Sequence, residues 1–247
     1  SRFDGTWATY PLTPPAAESA ADDPANVVTA MAFDSDRNLL AGTQDGRVLH
    51  LVDGEWQQLQ HIAAPIRALH YADGAIWVGS DDGLTLFIDG EQKIVAPLAG
   101  IEIHAIQPGA NMVWIGAEDG LWQVTPDAAT ALPYRTVSGQ NLPAGAATAI
   151  TQDANGALWL GITSAIVQLQ PDDGIFQVYR PFELAHNAAR ISSIGIGADA
   201  TVWVATNNSG VVKYTFENGE QVASTPYGSG ASVGLDTDIV RNIAIDA

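Results

Sequence analysis

The chain has 247 residues, of which 47% are hydrophobic, enough for one large all-β domain or two smaller domains. Its 28 acidic residues against 10 basic ones give a formal net charge of −18, so a nucleic-acid backbone or an anionic membrane would be repelled. Cysteine is absent, which excludes disulfides and thiolate chemistry, and no apolar run predicts a transmembrane helix or a signal peptide in this sequence.

In chain order, the first predicted element is a strand near Trp7. Residues 3–7 read FDGTW and match the VDGEW of residues 52–56, where an outer strand is predicted to begin. A loop rich in Pro, Ala and acidic residues follows at residues 13–26, and its composition is equally typical of a recognition loop and of a disordered spacer.

An internal repeat then occupies most of the chain. Five segments share one pattern, and the tryptophan of that pattern, or the residue in its place, recurs at spacings of 37, 37, 45 and 44 residues, the length of one four-stranded sheet with tight turns. The five positions are Leu40, Trp77, Trp114, Trp159 and Trp203. The segments are 39–51 (LLAGTQDGRVLHL), 76–88 (IWVGSDDGLTLFI), 113–125 (VWIGAEDGLWQVT), 158–170 (LWLGITSAIVQLQ) and 202–214 (VWVATNNSGVVKY).

Each repeat predicts four antiparallel strands. A short apolar segment comes first, then a turn, the strand with the tryptophan, a second turn containing glycine, and a third strand; these runs are rich in Val, Ile and Trp and are bounded by turn residues. A further motif begins the outer strands at residues 52–59, 88–95, 172–179 and 217–224. No long segment has helical periodicity, so we expect radial β-sheet blades.

The two chain ends predict a sixth, incomplete blade. Residues 239–247 match a first strand, and residues 3–7 match the start of a fourth strand, but roughly a dozen residues of the two middle strands have no counterpart. We expect those strands to come from chain beyond residue 247 or from a partner, because an open sheet edge is a liability. The predicted fold is an all-β, six-bladed β-propeller with blades at about 27–62, 63–99, 100–143, 144–187, 188–232, and 233–247 plus 1–24.

The repeat resembles the two-component regulator propeller repeat. The similarity is clearest in residues 146–160 (AATAITQDANGALWL) and 76–84 (IWVGSDDGL), and it extends over five complete units and one split unit. The fourth unit departs at residues 161–165 (GITSA) and the fifth at residues 205–210 (ATNNSG), which affects the turns. The resemblance implies an extracytoplasmic sensor domain of bacterial signalling, with an attached signalling domain, or a related secreted ligand-binding protein.

The candidate binding site is a set of polar residues where the innermost strands begin. Aligning the six blades places a polar side chain at this position every time, and two arginines and a histidine there suit a carboxylate or a polar sugar at the mouth of the channel. The alternative is the solvated end of a strand, with the arginines paired to acids such as Asp236 or Asp238. The six residues are Thr29, Arg67, His104, Thr148, Ser192 and Arg241.

Acidic turn residues between the second and third strands are predicted to lie on the same face. Asp45, Asp82 and Asp119 could hold calcium through carboxylate oxygens, although Asp and Gly are also the residues that such turns require. We therefore expect no cofactor, with calcium as the alternative. The longest loops, residues 13–26, 138–146, 183–190 and 226–239, belong to this face, and Trp122 either stacks on a sugar ring or packs in the core.

Enzyme signatures are sparse. The sequence has no G-x-S-x-G, no H-E-x-x-H and no phosphate-binding glycine loop, and only His104 and His186 are predicted near the candidate face. The sequence predicts a non-catalytic binding or sensor propeller that recognises a small polar or carbohydrate-like ligand or a partner protein. The alternatives are a lyase or hydrolase of the virginiamycin B lyase type, whose phenylalanine-threonine-glutamate element is absent here, and an assembly domain completed by a partner chain.

Overall fold

The computed structural model describes residues 12, 23–136, 141–163, 165–180, 189–217, 220–229 and 235–245. Within these residues the chain is all-β: twenty strands form five four-stranded antiparallel sheets, and the helical segments are two short 3₁₀ turns, Pro24–Asn26 and Ala96–Leu98. The chain forms two compact units, Ser1–Gly100 and Ile101–Ala247.

The first unit contains two sheets whose strands pair in chain order. Its apolar core between the sheets includes Val48, Leu69 and Phe87, all buried. The first sheet consists of β1 (Val28–Phe33), β2 (Leu39–Thr43), β3 (Arg47–Val52) and β4 (Glu55–His61), and the second of β5 (Ile66–Ala72), β6 (Ala75–Ser80), β7 (Gly83–Ile88) and β8 (Glu91–Ile94).

The second unit contains three sheets built in the same way. The third sheet has β9 (Ile103–Pro108), β10 (Val113–Ala117), β11 (Gly120–Val124) and β12 (Ala131–Pro133). The fourth has β13 (Ala147–Gln152), β14 (Leu158–Ile162), β15 (Ala165–Gln170) and β16 (Ile175–Tyr179). The fifth has β17 (Ile191–Ile196), β18 (Val202–Thr206), β19 (Val211–Glu217) and β20 (Glu220–Tyr227).

The repeated tryptophan lies in the second strand and fills the space between consecutive sheets. Trp159 of β14 is 5% exposed, with its ring 6.1 Å from Tyr179 of its own sheet and 5.3 Å from Phe216 of the next sheet. Such aromatic clusters bury large areas and favour tilted or offset ring pairs. The tryptophan of the repeat is therefore a packing residue that joins one sheet to the next.

The glycine two residues after the tryptophan allows neighbouring sheets to approach closely. A Cβ atom on Gly161 would lie 2.6 Å from Cγ2 of Ile191 in the fifth sheet, and one on Gly42 would lie 2.5 Å from Cγ2 of Ile66 in the second sheet. Neither distance is compatible with a side chain at that position unless the neighbour moves. The close approach of sheets thus depends on these glycines.

Two features differ from the sequence prediction or extend it. The outer strand of the third sheet, β12, has only three residues and contains a proline, and the motif that begins the other outer strands did not identify it. The predicted sixth blade is not among the described sheets: residues 1–11 and 13–22 lie outside the described residues, and residues 235–245 form no strand. The described part of the chain thus contains five sheets, and six remains a prediction.

The C-terminal segment runs along the fifth sheet. Within the second unit, the Val240 amide donates to the Thr206 carbonyl at 2.9 Å, and the Ile243 amide donates to the hydroxyl of Ser193 at 3.2 Å. Ile245 lies against Gly195, where an added Cβ would come within 2.7 Å of its Cγ1. Residues 239–245 therefore follow the innermost strand β17 closely, although they have no strand pairing of their own.

Candidate functional site

Every first strand contains a β-bulge at the position of the predicted polar set. In the first sheet the register passes from Val28 paired with Thr43 to Ala30 paired with Gly42, which leaves Thr29 as the extra residue. A bulge leaves one residue outside the ladder, redirects its side chain, and is common next to binding sites. The bulged residues of the five described sheets are Thr29, Arg67, His104, Thr148 and Ser192.

Three of these residues use their hydroxyls to bind a carbonyl of the next sheet or, for Ser192, of the C-terminal segment. The Thr148 hydroxyl is 2.5 Å from the carbonyl of Ile191, the residue before the bulge of the following sheet, and 3.3 Å from the carbonyl of Gly161. The single hydrogen of each hydroxyl is therefore committed within the protein, so the hydroxyl can act toward any other group only as an acceptor. The same bond joins Thr29 to the carbonyl of Ile66 and Ser192 to the carbonyl of Val240.

This series of hydroxyl hydrogen bonds shows which residue of the C-terminal segment is equivalent to the bulged residues. Because Val240 accepts from Ser192 as Ile191 accepts from Thr148, Arg241 occupies the place that bulged residues hold in the described sheets. Its side chain is exposed, and it has no ion pair among the described residues. Asp238, which the sequence suggested as a partner, instead accepts hydrogen bonds from the backbone and hydroxyl of Ser229.

The charged members of the set are paired with turn acids of their own sheets. Nε of Arg67 donates to Asp81, and Nε2 of His104 lies 2.9 Å from Oε2 of Glu118, each partner being 14 residues further along the chain. The side chains of Arg67 and Asp81 remain 43% and 34% exposed. In the Arg67 pair a cation and an anion therefore stand side by side. Both pairs lie at the bulge-and-turn edge, which we define as the first-strand bulge and the facing turn between the second and third strands.

His104 lies at the centre of a four-residue polar cluster in the second unit. Its side chain is only 7% exposed, with Nδ1 3.5 Å from Oε1 of Glu102 and Nε2 2.9 Å from Oε2 of Glu118. Nη2 of Arg190 is 3.1 Å from the same Nε2 and 3.6 Å from Glu118 Oε2. A neutral imidazole donates from one nitrogen only, so the tautomer decides whether Nε2 donates to Glu118 or accepts from Arg190.

The same cluster has the only set of side chains among the described residues that could converge on a metal ion. Ligand atoms of Glu102, His104 and Glu118 lie within 4.8 Å of one another. One imidazole and two carboxylates suit a transition metal better than calcium, which takes six to eight oxygens. The carboxylates face opposite ring nitrogens, however, and the Arg190 guanidinium already occupies the side of Nε2.

The predicted turn acids have three different environments. Asp45 accepts from Nε of Arg47 at 2.9 Å and from the Thr43 hydroxyl. Burial acts to raise the pKa of Asp45, but the hydrogen bonds from Thr43 and Arg47 outweigh it and lower the pKa below its usual value. Asp82 is exposed and its carboxylate has no partner among the described residues, whereas Asp119 accepts from Nε1 of Trp122 at 2.8 Å.

Several other residues that the sequence predicted near the site lie in the core or outside the described residues. Trp122 is 8% exposed, so its ring packs in the core and is not offered to a sugar. His186 lies outside the described residues, as do residues 13–22, 138–140, 183–188 and 230–234 of the four long loops. The predicted site did not include Glu102, Asp81, Glu118 or Arg190, although the spacing of 14 residues that Arg67–Asp81 and His104–Glu118 share is visible in the sequence.

Comparisons with known proteins agree with this architecture. The β-propeller domain of Cps50 (Swd1) from Myceliophteria thermophila is similar over 81% of this chain and 72% of its own, with 14% identity and a TM-score of 0.61. The fold is that of a β-propeller. No family model matches the chain, and no curated protein matches it.

Two further structures are extracellular domains assigned to hybrid two-component systems of B. thetaiotaomicron. One is similar over 92% of this chain and 31% of its own, with 16% identity and a TM-score of 0.72; the other covers 81% and 28%, with 17% identity and a TM-score of 0.62. The chain thus spans about a third of the length of these proteins. Among the described residues, no helix has the length and apolarity needed to cross a bilayer.

Proposed function

We propose that the chain is a non-catalytic binding propeller of the sensor type, which recognises a small polar or carbohydrate-like ligand, or a partner protein, at the bulge-and-turn edge. The observation that carries this proposal is the bulge in the first strand of all five described sheets. The same bulge therefore places a polar side chain at the equivalent edge of each described sheet.

The chemistry of that edge fits a neutral polar ligand. Arg67 with Asp81, and His104 with Glu118, each present a donor beside an acceptor, and a ligand hydroxyl both donates and accepts. The Arg67–Asp81 pair has no net charge, which disfavours a strongly charged ligand at that position. The hydroxyls of Thr29, Thr148 and Ser192 donate their hydrogens within the protein, so they can only accept hydrogen bonds from a ligand.

The similar structures support an extracytoplasmic setting. Two of them are described as extracellular domains of two-component systems, and this chain spans about a third of their length. We propose by analogy that this propeller acts outside the cytoplasm and that signalling segments accompany it. Fold alone does not assign a function. We therefore base the proposed binding on the bulge-and-turn edge, and only the proposed extracytoplasmic location on these similar structures.

We also propose that both chain ends contribute strands to a sixth sheet that closes the ring, with its two middle strands supplied by chain beyond residue 247 or by a partner. The bond from Ser192 to the Val240 carbonyl supports this proposal, because it matches the bonds from Thr29 and Thr148 to the first strand of the next sheet. The exposure of large apolar side chains on β1 also supports a sixth sheet. Met31 and Phe33 are 63% and 65% exposed, whereas Leu69 and Ile194, which occupy the place of Met31 in the second and fifth sheets, are 9% and 6% exposed.

A binding screen with matched variants tests the proposed function. Thermal shift and ligand-observed NMR on the intact chain, with neutral sugars and organic acids as probes, are expected to find ligands whose binding is lost in Arg67→Gln and His104→Gln. Arg180→Gln makes the same change of charge at an exposed residue after β16 and is expected to bind normally. Chelation of divalent ions is expected to leave binding unchanged.

Two results would contradict the proposal. Chemical conversion of a bound ligand in the NMR spectra would identify an enzyme, with His104 the first residue to test as a catalytic group. Ligands that bind the Arg67 and His104 variants as well as the wild type would place recognition away from the bulge-and-turn edge.

A further inference from the structure

A cleft in the second unit lies beside the turn that contains Asp119. It encloses about 190 Å³, the space of roughly six water molecules. The residues that line it include the apolar Leu121, Leu142 and Ile162, the aromatic Tyr134, and the polar Asp119, Arg135 and Asn141. Small-molecule sites typically combine apolar surface with a few polar groups that converge on the ligand.

The register of the two outer strands brings the two charged groups near one another. Trp122 pairs with Pro133, and the Tyr134 amide donates to the Leu121 carbonyl at 2.8 Å, so Arg135 lies diagonal to Trp122, whose indole nitrogen binds Asp119. Diagonal side chains across antiparallel strands are within reach of a long arginine. Nevertheless, the structure gives no ion pair between Asp119 and Arg135, and Arg135 has no other ion-pair partner among the described residues.

The carboxylate and one wall are held in place by neighbours. Asp119 Oδ1 accepts from Nε1 of the buried Trp122 at 2.8 Å, which fixes the carboxylate and leaves its second oxygen available. The Tyr134 ring packs edge-on against Trp114 at 5.4 Å, and its hydroxyl lies 3.3 Å from the Pro171 carbonyl. The cleft therefore offers a fixed anion, an unpaired guanidinium and a rigid apolar wall.

We propose that this cleft binds a small zwitterion with an apolar side chain, an α-amino acid of the leucine type. Its ammonium group pairs with Asp119, its carboxylate with Arg135, and its side chain packs on Tyr134, Leu142 and Pro143, which are half-buried and line the cleft. A zwitterion satisfies both unpaired charges and carries no net charge, so the −18 charge of the protein does not repel it as it would repel a simple anion. The inference deepens the proposed function, because Asp119 belongs to the same turns.

Titration calorimetry with L-leucine, N-acetyl-L-leucine and L-leucinamide tests this assignment. The wild type is expected to bind leucine on the order of 10- to 100-fold more tightly than either derivative, since each derivative lacks one charge-assisted hydrogen bond. Arg135→Gln is expected to bind leucine and leucinamide equally. Asp119→Asn keeps an oxygen for the Trp122 bond and is expected to bind leucine and N-acetyl-leucine equally.

Two results would overturn the zwitterion site. One is the absence of leucine binding at millimolar concentration by a wild type that is folded by circular dichroism. The other is leucine binding that both variants retain. If sugars or organic acids still bind through Arg67 and His104, the proposed function survives without this site; if no probe binds at either place, both proposals fail.

Discussion

At the scale of single residues, polar side chains at the bulges also stabilise the fold through hydrogen bonds. Thr148 is 8% exposed, and its hydroxyl satisfies the carbonyl of Ile191 in the next sheet. A hydrogen bond of this kind contributes about 1 kcal/mol, and leaving a buried acceptor unpaired costs about 1–3 kcal/mol. The hydroxyl is thus expected to stabilise the junction of two sheets.

We predict that Thr148→Val lowers the free energy of unfolding by about 1–2 kcal/mol, because the substitution keeps the shape and removes the donor. Urea denaturation followed by tryptophan fluorescence measures it. Thr130→Val, at an exposed turn residue, is the matched control and is expected to change stability by less than about 0.5 kcal/mol. Equal effects of the two substitutions would show that the bond between sheets contributes nothing measurable.

The lowered pKa of Asp45 is expected to make the stability of the protein depend on pH. Its folded-state pKa is lowered, so its contribution is present above the unfolded-state pKa near 3.8 and is lost as the pH falls through the folded-state pKa. Asp45→Asn is therefore expected to cost about 1 kcal/mol at neutral pH and progressively less in acid. Denaturation of both proteins at neutral pH and at the lowest pH where the wild type stays folded measures the difference. A cost that does not change with pH would contradict the assignment.

At the scale of elements, the junction between consecutive sheets depends on close approach at the glycine of the second strand. Gly161→Ala would place a methyl group 2.6 Å from Ile191 Cγ2, and overpacking of this kind typically costs about 1–3 kcal/mol. We expect a loss of stability in that range, measured by chemical denaturation.

A double-mutant cycle separates steric overlap from other effects of Gly161→Ala. Ile191→Ala removes the opposing methyl group, so the double variant is expected to be more stable than the sum of the two single effects predicts. Strict additivity would show that the alanine acts through the backbone and not through contact between the sheets.

The second strands were predictable from the sequence because their tryptophans and β-branched residues recur in a fixed pattern. β12 was not, because Ala131–Pro133 is short and lacks the glycine-containing motif of the other outer strands. The alignment of repeats found the position of Thr29 and its equivalents, but not the bulge, which leaves no mark in residue type. Nor could composition show that Arg67 pairs with Asp81, because pairing depends on how a bulge directs a side chain.

At the scale of the whole molecule, the proposed sixth sheet would cover the exposed face of β1, although it is not among the described strands. Phe33 of β1 and Ile175 of β16 are exposed to nearly the same extent, 65% and 66%. If a sixth sheet covers β1 in the intact protein, however, the two positions are not equivalent, since Phe33 then lies in a core and Ile175 remains on an outer strand.

We predict that Phe33→Asp lowers the free energy of unfolding by about 3 kcal/mol or more, because a charge would enter an apolar interface. Ile175→Asp makes the same kind of change on an exposed outer strand and is expected to cost less than about 1 kcal/mol. Thermal or chemical denaturation compares the two variants, and equal small effects would mean that no sheet covers β1.

The measurement that tests binding at the bulge-and-turn edge most directly is hydrogen–deuterium exchange of the intact chain, with and without a ligand found in the screen. We expect ligand to slow exchange in peptides that contain the bulges of β5 and β9 and the turns at Asp81 and Glu118, and to leave exchange in the outer strands β8 and β16 unchanged. Protection confined to the outer strands, or none at saturating ligand, would contradict it.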